Sequence, residues 1–565
     1  MHKWNISEAI DDTLKTKYPD MHPVILQLLA NRGISSKPDI DAFLNPAYED
    51  LHDPFLFRDM QKAVDRVKIA RDEDQSVFVY GDYDADGVTS SVLMVETLKQ
   101  CGITKVDVYI PHREKEGYGL NKDAIEYMAE EGAKLIIAVD CGTSSVSEIA
   151  FARELGLDVI ICDHHEEPKE LPSGVVAFLN PHLQGETYPF KGLSGCGVVF
   201  KLCQALWKSF ELPEGREKWF LDLAAISTVA DMMDLVGENR IITAYGLKVL
   251  NKTRRKGLQA LMSDMRAGPH GIGTYEIGFV IAPRLNAAGR IDHANTAYEL
   301  LTTEDAEEAK AIAHSLNATN GERQSQTARI VKEAKEQVAS QLADRKVLVA
   351  FGKDWSPGVV GLVSGRLTEQ YYRPSLVITK SEKGIVGSGR SIPGFNITEA
   401  LSHASQYLER FGGHDGACGF TVKSEEDIDA FADALNRIAD EKFSDEDLVK
   451  SLAIDMELSL ELVDWDFVRA LEQMEPYGMG NPMPKFVSRG VRVAGVFLMG
   501  QKGEHMRVTL EQGGVTRSSV AFGFGKFFEG TLHQGDLIDI VYNADVNEWN
   551  GKKDIQLKII DIKKE

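Results

Sequence analysis

The sequence predicts an α/β chain of several lobes: a parallel-sheet lobe, a long connecting helix, a second α/β lobe and a small β-barrel. Three observations carry this. From Ser76 to about Leu179, short unbroken apolar runs alternate with amphipathic helical stretches, the texture of a parallel sheet covered on both faces. From Thr303 to about Arg345 the chain is charged and helix-rich, with apolar residues at Ile312, Leu316, Ile330, Ala334 and Val338, as in a helix lying against two lobes. From Ser451 strands dominate, five or more in about 110 residues, which suggests a barrel.

Taken in order, residues 1–70 read as a helical lead-in, clearest from Pro23 to Gly33. Residues 71–265 form the first lobe, with strands SVFVY, VDVYI, LIIAV, VIIC and VVAFL and helices between them. Within it, the stretch Phe220 to Ala230 is apolar nearly all round and therefore expected to be buried. Residues 266–345 complete that lobe and supply the connecting helix. Residues 346–445 hold the second α/β texture (KVLVAF, a helix from Val359 to Tyr371, SLVIT, IVGSGRS), and residues 446–565 the barrel. In the barrel region Phe497, Phe522 and Trp549 read as core residues, though aromatics there could stack bases.

At 565 residues and 43% hydrophobic, the chain has material for several cores. No apolar run approaches the ~20 residues of a membrane span, and MHKWNISEAIDD lacks a signal-peptide core. A soluble, cytoplasmic protein is expected. The six cysteines are scattered with no CxxC pair, so they read as small core residues. The formal net charge of −23 opposes a general nucleic-acid footprint. Carboxylates that hold cations present less bare charge, however, and arginine clusters can make a local positive groove.

Three apolar strands run into polar termini. SVFVY leads to Asp82, Asp84 and Asp86, LIIAV to Asp140, and VIIC to Asp163, His164 and His165; the buried helix runs into Asp231. Ligand sites in open parallel sheets form outside the carboxyl ends of the strands, so neighbouring strands would gather these groups at one rim. Carboxylates with imidazoles suit Mn²⁺ or Mg²⁺, and two such ions can serve phosphoryl transfer. Asp140 follows the middle strand in chain order, which makes it the natural bridging ligand. Asp82 to Gly87 matches the opening of an EF-hand loop, but the twelfth position is Leu93 and a strand precedes it, so calcium binding is set aside. A single aspartate at a strand end is commonly a helix N-cap; the combination is what points to a metal. No P-loop GxxxxGK[ST] is present.

GDYDADGVTSS, VDCG, DHH and the Ala230-Asp231 pair resemble the motifs of the DHH phosphoesterase superfamily. IPHREKEGYG, LSGCGVVFKL, APRLNAAGRI, WSPGVVGLVSGRL, GSGRSIPGFN and FGGHDGACG resemble its bacterial single-strand exonucleases in order and approximate spacing. The resemblance implies a DHH catalytic lobe, a long helix, a DHH-associated phosphate-binding lobe and an OB-fold barrel. It also implies 5′-to-3′ hydrolysis of single-stranded DNA to 5′-mononucleotides, in repair and recombination, with two Mn²⁺ or Mg²⁺ ions. Single-stranded DNA is the implied partner, and a single-strand-binding protein or a helicase is compatible with it. Carried over by motif, Asp82, Asp84, Asp140, His164 and Asp231 would be metal ligands and catalytic. His165 would lie close to the metals or the scissile phosphate. Asp163 would support a histidine, as partners of ligating imidazoles do, and Asp86 is left out as shaping its turn. Arg113, Arg290, Ser388, Arg390 and His414 fall in motifs that the resemblance assigns to phosphate binding, a task suited to guanidinium forks. Two departures stand out. Phe78 occupies a position where related phosphoesterases have a histidine, implying one metal with fewer protein ligands; Asp415-Gly416 replaces small or apolar residues beside His414.

Overall fold

The computed structural model describes residues 2–113, 115–263, 271–291, 294–528, 530–549 and 551–564. The amino-terminal segment differs from a purely helical lead-in. Lys3–Ile6 is a strand (β1) that pairs in parallel with Ser451–Ile454. The helix Pro23–Asn31 has too few residues to bury its own apolar surface. It places Val24, Ile25, Leu28 and Leu29 in one core with barrel residues Phe486, Val508 and Tyr542. The helix Met60–Asp72 instead packs on the first lobe.

The first lobe holds β2 (Ser76–Tyr80), β3 (Val106–Tyr109), β4 (Ala133–Val139), β5 (Asp158–Cys162) and β6 (Ala177–Leu179). Their order is β3-β2-β4-β5-β6, parallel throughout. Alternate residues feed two cores: Val77, Val79, Leu135 and Ile137 enter one, and Phe78, Tyr80, Ile136 and Ala138 the other. That two-sided burial is why these strands are unbroken apolar runs. β2, β4 and β5 are neighbours, so their carboxyl ends share one rim. All six cysteines are buried and free.

The connecting helix Ala306–Val338 has 33 residues, about 50 Å at the usual rise, and Asp305 caps it by accepting from the Glu307 and Glu308 amides. Ala313 and Leu316 join the first-lobe core, whereas Ile330, Ala334 and Val338 join that of the second lobe. There β7 (Leu348–Gly352), β8 (Ser375–Ser381), β9 (Gly384–Arg390), β10 (Leu408–His414) and β11 (Ala417–Val422) run in the order β10-β11-β9-β8-β7. β7 and β8 are parallel, and the other pairs antiparallel.

β12 (Ser451–Ile454) and β13 (Met456–Glu457) lead into the barrel of β14 (Phe486–Met499), β15 (His505–Gln512), β16 (Val515–Ala521), β17 (Leu537–Trp549) and β18 (Lys552–Lys564). The ring runs β14-β15-β16-β18-β17 and closes through β17 back onto β14, the closure that removes free edges in an OB-fold. Two aromatics expected in its core are outside it: Phe497 is 63% and Phe522 61% exposed. The register shift between Val493 and Gly495 is a bulge that turns the following residues over, and Phe522 lies just past the end of β16. The Trp549 side chain lies outside the described residues. Arg240 ties the barrel to the first lobe. Fully buried, it donates to the carbonyls of Phe43, Met474, Glu475 and Pro476.

Candidate metal centre

Each acidic group is held by the element that ends beside it. Asp84 caps the helix Ala85–Gln100, its Oδ1 accepting from the Asp86 and Gly87 amides; this is the N-cap role expected of a lone aspartate, but it occupies only one oxygen. Asp140 follows β4 with φ of 59°, a left-handed conformation that costs a non-glycine residue about 1–3 kcal/mol and clusters at functional sites. Gly195 lies so close that a β-carbon there would sit 2.5 Å from Asp140 Oδ1. Asp231 is the residue that ends the helix Leu221–Ala230.

These groups converge. His164 Nε2 lies 3.3 Å from Asp140 Oδ1, 3.6 Å from Asp231 Oδ2 and 3.8 Å from Asp86 Oδ2. Ligand atoms of Asp82, Asp84 and Asp140 lie within 4.8 Å of one another, as do those of Asp140, His164 and His165, and of Asp86, His164 and Asp231. Among the described residues, Asp82 Oδ1 and Asp140 Oδ1 are buried and accept no hydrogen bond. Leaving such an oxygen unsatisfied costs about 1–3 kcal/mol or more, so a cation fits. The carboxylates also repel. Burial first and then the Asp84 charge push Asp82 well above the ordinary range. Burial and then Asp86 raise the Asp84 carboxyl, push Asp140 well above that range, and push Asp231 up to about 8. Opposite charge placed among them would reverse that preference.

Asp163 is fully buried and accepts from the amides of Thr143, His164 and His165 and from His165 Nδ1 at 2.7 Å. Burial alone would raise its carboxyl, but the His165 bond holds it below the usual range. Burial likewise lowers the His165 imidazole, yet Asp163 outweighs it and pushes His165 up to about 9.

Two roles lay beyond sequence reasoning. Asp86 does more than shape its own turn: its oxygens accept from the Gly195 and Cys196 amides and from Ser227 Oγ. It thereby fixes the amino end of the helix Gly195–Ser209 against Asp140, and those bonds leave it little capacity as a ligand. Tyr118 OH lies 3.1 Å from His165 Nδ1; its only signal was its place in the EGYG motif. Phe78 is buried in the core with Tyr80 and Ile136, so it offers the rim no ligand.

The arginines bracket this centre. The Arg113 guanidinium lies 4.7 Å from the Tyr83 ring centroid. Arg290 donates to the Gly358 carbonyl at 3.1 Å, at the start of the helix Pro357–Tyr371 in the second lobe. Burial and the Arg113 and Arg323 charges push Arg290 down to about 10; Arg323 is lowered by burial and by Arg366 and Arg284. The Nε atoms of Arg290 and Arg323 are buried with no hydrogen-bond partner among the described residues. This local positive cluster answers the difficulty raised by the net charge. Across from it, a β-carbon on Gly361 would sit 3.1 Å from Ser388 Oγ and 3.7 Å from an Arg390 Nη, so glycine keeps that corner open. His414 is exposed at the end of edge strand β10, in register with Ala417 and, one strand further, Arg390. Asp415-Gly416 forms the hairpin turn beside it, and Asn396 Nδ2 donates to the Asp415 carboxylate.

Three family descriptions match the chain: "DHH family, N-terminal domain" over residues 76–228, "DHHA1 domain" over 344–441 and "RecJ OB domain" over 454–561. The chain is 40% identical over 564 residues to the single-stranded-DNA-specific exonuclease RecJ of Bacillus subtilis, covering 99% of this chain and 70% of that protein. Its fold resembles the crystal structure of RecJ in complex with Mn²⁺ from Thermus thermophilus, with a TM-score of 0.85 at 28% identity over 100% of this chain and 80% of that one. The corresponding Mg²⁺ complex gives 0.76 at 26% identity, covering 100% and 78%.

Proposed function

The chain belongs to the RecJ family of single-stranded-DNA-specific exonucleases, and from that premise we propose that it degrades single-stranded DNA from the 5′ end. The products are 5′-mononucleotides, and the setting is DNA repair and recombination in the cytoplasm. Among the described residues, no helix is long and apolar enough to cross a membrane. A single-strand-binding protein or a helicase would be the fitting protein partner.

Asp82, Asp84, Asp140, His164 and Asp231 would hold two Mn²⁺ or Mg²⁺ ions, with Asp140 shared between them. When bound, such ions supply water activation and neutralise charge on the leaving oxygen. The chain's own residues do the rest. Asp163 keeps the His165 ring oriented and protonated, so that His165 can donate toward a phosphate oxygen. Arg113 and Arg290 offer positive charge beside Tyr83 and Asp84. Ser388 and Arg390, with His414 on the same sheet, would receive the 5′-terminal phosphate. The barrel would guide the strand, and exposed Phe497 and Phe522 are available there for stacking.

The observation that carries this reading is the pair of buried carboxylate oxygens on Asp82 and Asp140 that accept no hydrogen bond. Digestion of 3′-labelled and 5′-labelled single strands with Mn²⁺, beside a chelator control, tests it. The 5′ label should appear at once as mononucleotide, while the 3′ label remains in progressively shorter strands. Early release of the 3′ label, or undiminished cleavage in chelator, would refute it.

A further inference from the structure

A cavity of about 940 Å³ opens in the first lobe away from its rim. Two helices that serve the metal centre from one end reach this cavity with the other. Asp222 stands at the start of the helix Leu221–Ala230 that runs into Asp231, and Glu96 near the end of the helix Ala85–Gln100 that Asp84 caps. At the usual helical rise these positions are about 13 and 18 Å from the metal-centre aspartates. The cavity is thus separate from the cleft that holds the metals.

Its floor is already satisfied. Arg255 donates to both Glu96 carboxylate oxygens at 2.6 and 3.0 Å. Its Nε lies 3.4 Å from Asp222 Oδ2, which also accepts from Thr253 Oγ1 at 2.9 Å. Both floor acids are therefore engaged within the protein. The walls are not. Lys99, Arg216, Arg254 and Lys256 line them, all exposed, and among the described residues none has a carboxylate partner. Glu304 is the only lining acid left to oppose them. On a chain of net charge −23, unanswered cations around one hollow reverse the local sign, and a polyanion would relieve their repulsion.

One wall is aromatic. Trp207 is buried, donates Nε1 to the Pro213 carbonyl at 3.1 Å and meets Phe220 edge-on at 5.7 Å. Trp219 beside it stays 38% exposed, with the Arg254 guanidinium 4.2 Å from its ring centroid. A flat, open indole next to guanidinium groups is suited to a planar base. The volume is that of a site for one small molecule.

We propose that this cavity binds a nucleoside triphosphate, its base against Trp219 and its phosphates among Lys99, Arg216, Arg254 and Lys256. One phosphate would leave most of these cations unanswered, whereas a triphosphate matches them. A nucleic-acid strand is the poorer fit, because its phosphates follow an open groove and these cations surround a single hollow. The site lies outside the exonuclease reading and does not rest on it.

Equilibrium dialysis of ATP in chelator tests this, with the cleft filled by a 5′-phosphorylated single strand that cannot be cut without metal. Saturable uptake of ATP is expected with a Kd below about 0.1 mM. Arg216→Ser/Arg254→Ser should weaken it about 100-fold, the worth of two charge-assisted contacts. Trp219→Ala should weaken ATP about 10-fold and leave inorganic tripolyphosphate unchanged. The substituted side chains lie at the surface, so melting temperature should hold. No saturable uptake, equal affinity for ATP and tripolyphosphate in the wild type, or uptake indifferent to these substitutions would overturn the proposal. Binding is read without cleavage, so the exonuclease reading can fail while this one stands, and the reverse.

Discussion

Gly195→Ala is the smallest change that should disable the centre. The added β-carbon would meet Asp140 at 2.5 Å from Oδ1, 2.7 Å from Cβ and 2.8 Å from Cγ. Ordinary contact begins near ~3.5 Å, so the Asp140 side chain must retreat by about 1 Å. Little else changes. Gly195 does not have a positive φ, so alanine is compatible with its backbone, and its amide can still donate to Asp86. In the first turn of the helix Gly195–Ser209, alanine is if anything the better helix former. A misplacement of about 1 Å at a reacting centre costs about 10²-fold in rate. Turnover of single-stranded DNA at saturating Mn²⁺ should therefore fall about 100-fold, and the Mn²⁺ concentration for half-maximal rate should rise. Initial rates across a Mn²⁺ titration, with melting curves in chelator as the folding control, measure both. Wild-type turnover in a folded Gly195→Ala protein would refute the idea that Asp140 must stand where it does.

Three further outcomes are expected. Arg390→Ala should weaken binding of 5′-phosphorylated strands about 10-fold more than of 5′-hydroxyl strands, one charge-assisted contact's worth; equal losses in a filter-binding comparison would make Arg390 a generic backbone contact. Arg240→Ala, which removes the guanidinium from four carbonyls and leaves only those of Met474 and Pro476 with Asn481 Nδ2 as a side-chain donor, should cost about 3 kcal/mol in urea unfolding. Arg240→Lys should recover little of that, because an ammonium cannot reproduce the fork. Finally, Asp231 has its carboxyl raised from 3.8 to about 8 in the folded chain, so its contribution to stability is present below about pH 4 and lost as pH rises through 8. In chelator the melting temperature should fall across that window, and the increment produced by Mn²⁺ should widen toward pH 8; an increment independent of pH would contradict this.

The first lobe was legible because its strands are buried on both faces, leaving unbroken apolar runs that stop at charged residues. Asp82, Asp140 and His164 stand at those stops, and the neighbouring order of β2, β4 and β5 brings them together. The role of Asp86 was not legible, since its partners Gly195, Cys196 and Ser227 are more than a hundred residues away in sequence. The same distance hid β1, whose partner strand begins at Ser451. The outward side of Phe497 was not legible because alternation fails at a bulge, and a bulge depends on register between strands.

The central claim is that Asp82, Asp84, Asp140, His164 and Asp231 share a pair of divalent cations. Anomalous scattering from crystals grown with Mn²⁺ measures this directly. Two peaks are expected, enclosed by those five side chains and lying on either side of the Asp140 carboxylate. Manganese bound elsewhere in a catalytically active crystal, with these carboxylates bare, would contradict it.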